Sequence, residues 1–127
     1  MTGDPVNRTS NQTERILAGI AHLVPLLGFL IPVGNFVIAN VLAPLGLWLG
    51  VRKQSPYIER HAREATNVQI TLSILLALDN ILFEGGVRHL GVFLLVALYA
   101  LFAGARAALK AYRGENYKYA LSLPYLR

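Results

Sequence analysis

Apolar and polar positions in this chain fall into long blocks rather than short periods. Residues 16–33 form a first apolar block, 36–51 a second, "ITLSILLALDNILF" a third and residues 90–109 a fourth. At the helical rise the first two measure about 27 Å and about 24 Å, near the thickness of a bilayer's hydrocarbon core, and the fourth is long enough to cross. Pro32 and Gly34 interrupt the apolar run in "PVGN", which predicts a tight helical hairpin from the first two blocks. The polar stretch "HAREATNVQ", residues 61–69, runs into the third block with no stop signal between them. It reads as the opening turns of the same helix, lying at the membrane surface.

Local signals set the helix ends. Asn11 with Glu14 three residues later is a capping signature ahead of the first apolar block. Ser55-Pro56 supplies an N-cap and a proline at the first helical position, where a missing N–H costs nothing. Glu59 and Arg63 support that helix from one turn to the next, and the fourth block closes near Gly114. The expected fold is all-α: an integral membrane bundle of four transmembrane helices, the first two a Pro/Gly hairpin, with an interfacial helix leading into the third. A flexible cytoplasmic arm covers 1–13, the membrane domain 14–113 and an interfacial tail 114–127. In that tail Tyr117, Tyr119, Leu121, Leu123 and Tyr125 recur with period two, which predicts an extended segment along the headgroups.

Composition agrees with lipid as the solvent. Of the 127 residues 54% are hydrophobic and only 15% charged, against about 25% charged in a soluble domain. The absence of cysteine excludes disulfides, thiol catalysis and cysteine metal sites. The net charge of +5 is explained by its placement. Of 12 Lys and Arg, all but Arg88 fall in residues 8–15, in residues 52–63 or from 106 onward. The positive-inside rule then puts both termini and the 52–64 loop in the cytoplasm, at the inner membrane. Basic residues there suit an anionic leaflet, so no nucleic-acid partner is needed. The expected partners are the lipid bilayer and other membrane subunits or further copies of the chain.

Candidate chemistry is sparse. At 100° per residue, Glu59, Ala62, Thr66, Gln69, Ser73, Ala77, Asn80 and Glu84 share an arc of about 80° on the third helix. Thr66, Gln69, Ser73 and Asn80 make this a polar stripe, suited to bundle packing or, as the sharper reading, to lining a pore. In the fourth segment Ala97, Ala100, Gly104, Ala107, Ala108 and Ala111 form a small-residue face that allows close helix approach. His22 reads as a hydrogen-bonded packing histidine, with proton handling as its alternative. His22, His61 and His89 fall on both sides of the expected membrane, so no zinc or catalytic spacing emerges. Asp79 and Glu84 read as solvated charges at a helix end rather than an acid–base pair. No catalytic residue, metal or cofactor is expected.

The segments "ERILAGIAHLVPLLGFLIPVGNFV", "APLGLWL", "SPYIERHAREATNVQITLSI" and "AYRGENYKYAL" together resemble the Tic-twenty-like family of small bacterial membrane proteins, relatives of a chloroplast inner-envelope translocon channel subunit. The resemblance is carried by His22, Pro25, Asn35, Pro44, Trp48, Ser55 and Pro56 in the first half. His61, Glu64, Asn67, Arg113, Gly114 and Glu115 carry it in the second. Arg63, Thr66 and Ala120 depart from the family pattern. The resemblance implies four membrane helices with cytoplasmic termini and a non-catalytic subunit or scaffold, related to translocation. The alternative is a small oligomeric channel or carrier using the polar stripe.

Overall fold

A computed structural model describes residues 10–30, 42, 45–50, 52–53, 55–83 and 86–127. The turn at 32–35, with Asn35, as well as Pro44 and Glu84, lie outside the described residues. Within them the chain is helical and without strands: α1 (Gln12–Leu23), a 3-10 segment (Val24–Leu30), α2 (Pro56–Phe83) and α3 (Val87–Tyr112). Residues 45–50 are helical as well.

α1 begins as its sequence dictates. The Asn11 side chain accepts from the Glu14 amide at 2.8 Å, and the Glu14 carboxylate accepts from the Asn11 amide at 2.9 Å. The α-helix stops at Leu23, earlier than the expected run to residue 33. Pro25 has no N–H to offer the Ala21 carbonyl, and the chain tightens into 3-10 turns. α1 therefore spans only about 18 Å. Among the described residues two helices rather than four, α2 and α3, are long and apolar enough to cross a membrane.

α2 is a single helix of 28 residues, about 42 Å long and longer than a hydrocarbon core of about 30 Å. Residues 61–69 are continuous with its apolar half, so its opening turns extend beyond the apolar zone. Ser55 caps it, accepting from the Ile58 amide at 3.4 Å. The same hydroxyl donates to Glu14 Oε1 at 2.7 Å, which ties the starts of α1 and α2 together.

The buried side of α2 departs from the straight stripe. Ile58, Ala62, Ala65, Gln69, Leu72, Leu76 and Asp79 are all buried, at spacings that alternate four and three. A 3.5-residue repeat drifts by about 20° per heptad against a straight helix. Three heptads on, the seam has moved off Asn80, which is exposed, and onto Asp79.

α3 packs through the small face its sequence shows: Ala100, Gly104, Ala107 and Ala111 are buried, while Leu94, Leu95, Leu98 and Phe102 are exposed. A Cβ at Gly104 would sit 3.3 Å from the His22 carbonyl oxygen, and one at Gly19 would sit 3.5 Å from that of Ala108. α1 therefore lies directly on the backbone of α3. α3 ends at Gly114, whose φ of +83° glycine adopts without strain. The Gly114 and Glu115 amides donate to the carbonyls of Ala111 at 3.1 Å and Lys110 at 2.9 Å, and the missing side chain leaves room for the Arg15 guanidinium, 3.1 Å from the Cβ position.

Candidate functional site

The three helix ends that carry most of the basic residues meet at one end of the bundle, and the tail closes over them. Arg60 donates to Asn116 Oδ1 at 2.8 Å, and the Tyr57 hydroxyl donates to the Ala111 carbonyl. Trp48 Nε1 donates to Glu59 Oε1 at 3.0 Å, and Arg52 lies over the Trp48 ring at 5.4 Å. Glu59 also pairs with Arg63 at 3.4 Å.

Beneath this surface lies a buried polar relay. His22 Nδ1 is 2.8 Å from the Tyr119 hydroxyl, and His22 Nε2 is 2.8 Å from His61 Nδ1. The rings meet edge to face, with centroids 5.1 Å apart. All three residues are nearly excluded from solvent, at 2%, 1% and 4% exposure. Three linked groups at such distances need a consistent direction of donation. His61 Nε2 is buried without a hydrogen-bond partner. A proton on His61 Nε2 leaves Nδ1 to accept from His22 Nε2–H. His22 Nδ1 in turn accepts from the Tyr119 hydroxyl. Both imidazoles are then neutral and the relay holds without a buried charge.

The structure thus brings together two histidines that the sequence left unconnected. His22 and His61 share one hydrogen bond, because α1 and α2 start together and run side by side from the same end. Only His89 lies at the opposite end, where its Nδ1 pairs with Asp79 Oδ2. Asp79 is not a solvated terminal charge as expected, since it is buried and paired.

Tail residues the sequence assigned to the headgroup layer instead dock into the bundle. Glu64 Oε1 accepts from the Tyr119 amide at 2.8 Å. The Asn67 side chain reads the Leu126 backbone twice, accepting from its amide at 2.9 Å and donating to its carbonyl at 3.3 Å. A turn closed by the Ser122 amide on the Tyr119 carbonyl, at 3.2 Å, breaks the period-two register. Tyr119 and Ser122 therefore face inward, while Leu121, Leu123 and Tyr125 remain exposed. Asn67→Asp keeps the acceptor but turns a carboxylate oxygen toward the Leu126 carbonyl. It is expected to loosen the last residues by about 1–2 kcal/mol, read as faster amide exchange at Leu126 with little change at Tyr119.

Burial, with Tyr117 and Glu64 nearby, pushes the Tyr119 phenol well above its ordinary pKa. A phenol held neutral when folded contributes docking stability that is complete below the unfolded value, about 10, and is lost as pH rises beyond it. Ultraviolet titration is expected to show one of the six tyrosines ionising last, together with tail release. Tyr119→Phe should abolish that step.

Of the polar stripe, Thr66 Oγ1 donates to the Ala62 carbonyl at 2.8 Å. Gln69 Oε1 and Ser73 Oγ are buried without a hydrogen-bond partner. Asn80 is exposed and apart from them. Sequence reasoning missed Tyr119 as a partner of His22, and only the recurring tail tyrosines hinted at it. Arg113 is the C-cap residue of α3 and exposed. Among the described residues no group of three or more His, Cys, Asp or Glu gathers as a metal site would need.

A model of the magnetosome magnetite crystal formation protein family, MamF/MmsF, matches residues 13–126. The chain belongs to this family. No curated protein and no solved structure matches it. Family and the apolar α2 and α3 together make it a membrane protein. The match overturns the resemblance to the Tic-twenty-like family and, with it, the implied role in translocation. An apolar hairpin, a Ser-Pro helix start and a Gly-closed last helix are packing solutions open to many small membrane proteins, so sharing them does not fix descent or role. In this MamF/MmsF chain His22, His61, Glu64, Asn67, Gly114 and Glu115 converge on the tail.

Proposed function

We propose that this chain is a non-enzymatic, multi-pass subunit of the membrane in which a crystal forms, acting as a scaffold that presents its basic end to the cytoplasm. The observation that carries this reading is the polarity of the bundle. One end holds the buried relay, the docked tail and nearly all the basic residues among those described, while the remaining lengths of α2 and α3 expose Leu, Ile and Phe. Such a surface suits hydrocarbon, and the asymmetry of Lys and Arg orients it by the positive-inside rule. The family's description supplies the process, magnetite crystal formation.

Since the chain has no cysteine, single-cysteine variants report topology cleanly. Lys53→Cys and Lys118→Cys are expected to resist a membrane-impermeant label until cells are opened, whereas Val87→Cys reacts from the other side. Labelling of all three from one side sinks the orientation. Strictly monomeric protein in lipid, with no neighbour captured by crosslinking from Lys118, sinks the subunit role.

A second reading, a small oligomeric channel or carrier, draws on the buried, unpartnered Gln69 Oε1 and Ser73 Oγ. Flux in proteoliposomes that persists after Gln69→Leu and Ser73→Ala counts against that stripe as the path.

A further inference from the structure

The geometry points to a binding site for the phosphodiester headgroup of an anionic phospholipid between the opening turns of α2 and the tail. Two open hollows adjoin there. One, of about 460 Å³, is lined in part by Arg63, Asn67, Lys118, Ser122 and Arg127. The other, of about 350 Å³, is lined in part by Arg60, Asn116 and Tyr117, and the two share Arg63, Glu64 and Lys118. The surface thus gathers four cationic side chains around one acidic side chain, Glu64, which is already occupied by the Tyr119 amide. Arg63 gives Nη1 to Glu59 but has five N–H donors in a planar fork suited to a phosphate. Lys118 and Arg127 have no ion-pair or hydrogen-bond partner among the described residues. Asn67 is not a ligand, because both ends of its amide hold the Leu126 backbone, and its role is to keep Arg127 beside the hollow.

What selects a lipid over a free anion is the apolar character of the tail, whose Pro124 and Leu126 also line the larger hollow. Leu121, Leu123 and Tyr125 are exposed on the same tail, at 41%, 53% and 42%, where the turn after Tyr119 leaves them facing outward. A headgroup in the hollow with its acyl chains along these side chains satisfies both, and at the headgroup boundary each cation adds to attraction for an anionic lipid. The site rests on the reading that this end of the bundle lies at the cytoplasmic headgroups.

The test uses the full chain. Protein reconstituted in equal phosphatidylglycerol and phosphatidylcholine is released into the gas phase, and retained lipid is identified by mass. Selective retention of phosphatidylglycerol is expected, weakening about fivefold for each of Arg63→Gln, Lys118→Gln and Arg127→Gln. Protease resistance at Lys118 in the Arg63→Gln and Arg127→Gln variants reports that the tail stays docked. Equal retention of the two lipids, or selectivity that survives the triple variant, overturns the site. Displacement by inorganic phosphate beyond that by chloride of matched ionic strength overturns the lipid as its occupant. Failure of the chain to float with pure phosphatidylcholine vesicles overturns the membrane reading itself, whereas flotation without selectivity overturns this site alone.

Discussion

Gly104→Leu is expected to destabilise the folded chain by about 3 kcal/mol, as overpacking of a close helix contact does. The first atom of the new side chain would already stand 3.3 Å from the His22 carbonyl oxygen and 3.5 Å from the methyl carbons of Leu26. The carbonyl belongs to the last turn of α1, so it cannot yield without carrying His22 with it. Two effects are thus coupled: α1 lifts from α3, and the relay to Tyr119 and His61 stretches. Gly104→Ala needs a shift of only a few tenths of an ångström and should cost much less. Unfolding in mild detergent, followed by helical circular dichroism across an increasing fraction of denaturing detergent, checks the order wild type, alanine, leucine. A leucine variant as stable as the wild type contradicts the packing.

His22→Leu is the second large effect. Leucine fits the space but removes both ring nitrogens, leaving the Tyr119 hydroxyl and His61 Nδ1 buried and unpaired. Each stranded group costs about 1–3 kcal/mol, so a total of about 2–6 kcal/mol is expected. The loss should concentrate on the tail, since Tyr119 is one of its main anchors, and limited proteolysis should cut at Lys118 long before the helices. A cycle with Tyr119→Phe separates network from bulk. In the His22→Leu background the phenylalanine change should be nearly free, because the hydroxyl has already lost its partner. Additive costs would mean that the two side chains do not share a bond.

Local signals in the sequence were legible where they act over a few residues. Asn11 and Glu14, Ser55 and Pro56, and Gly114 each determine a helix end through contacts three or four residues away, and each does so in the structure. The small face of α3 was legible for a similar reason, as close approach requires small side chains whatever the partner is. The stripe on α2 was legible only in its first half. Straight periodicity followed Thr66, Gln69 and Ser73 correctly but missed the drift of the seam, and so assigned Asn80 in place of Asp79. Pro25 was visible, yet its effect in ending α1 at Leu23 lay hidden within an apolar run long enough to suggest a span. The relay was least legible. His22 is separated from His61 by 39 positions and from Tyr119 by 97, and no periodicity links positions so far apart. His22 alone resembled an isolated packing residue and His61 pointed only to Glu64 one turn on, so the partnership exists only once the three helix ends and the tail meet.

The account depends on that meeting most of all. Solid-state nuclear magnetic resonance on the chain labelled with nitrogen-15 histidine, in lipid bilayers at neutral pH, tests it directly. A through-hydrogen-bond coupling between His22 Nε2 and His61 Nδ1, with both rings neutral and lost in His61→Ala, is expected. Two histidines that give no mutual coupling and exchange freely with water would contradict the closed, tail-capped bundle described here.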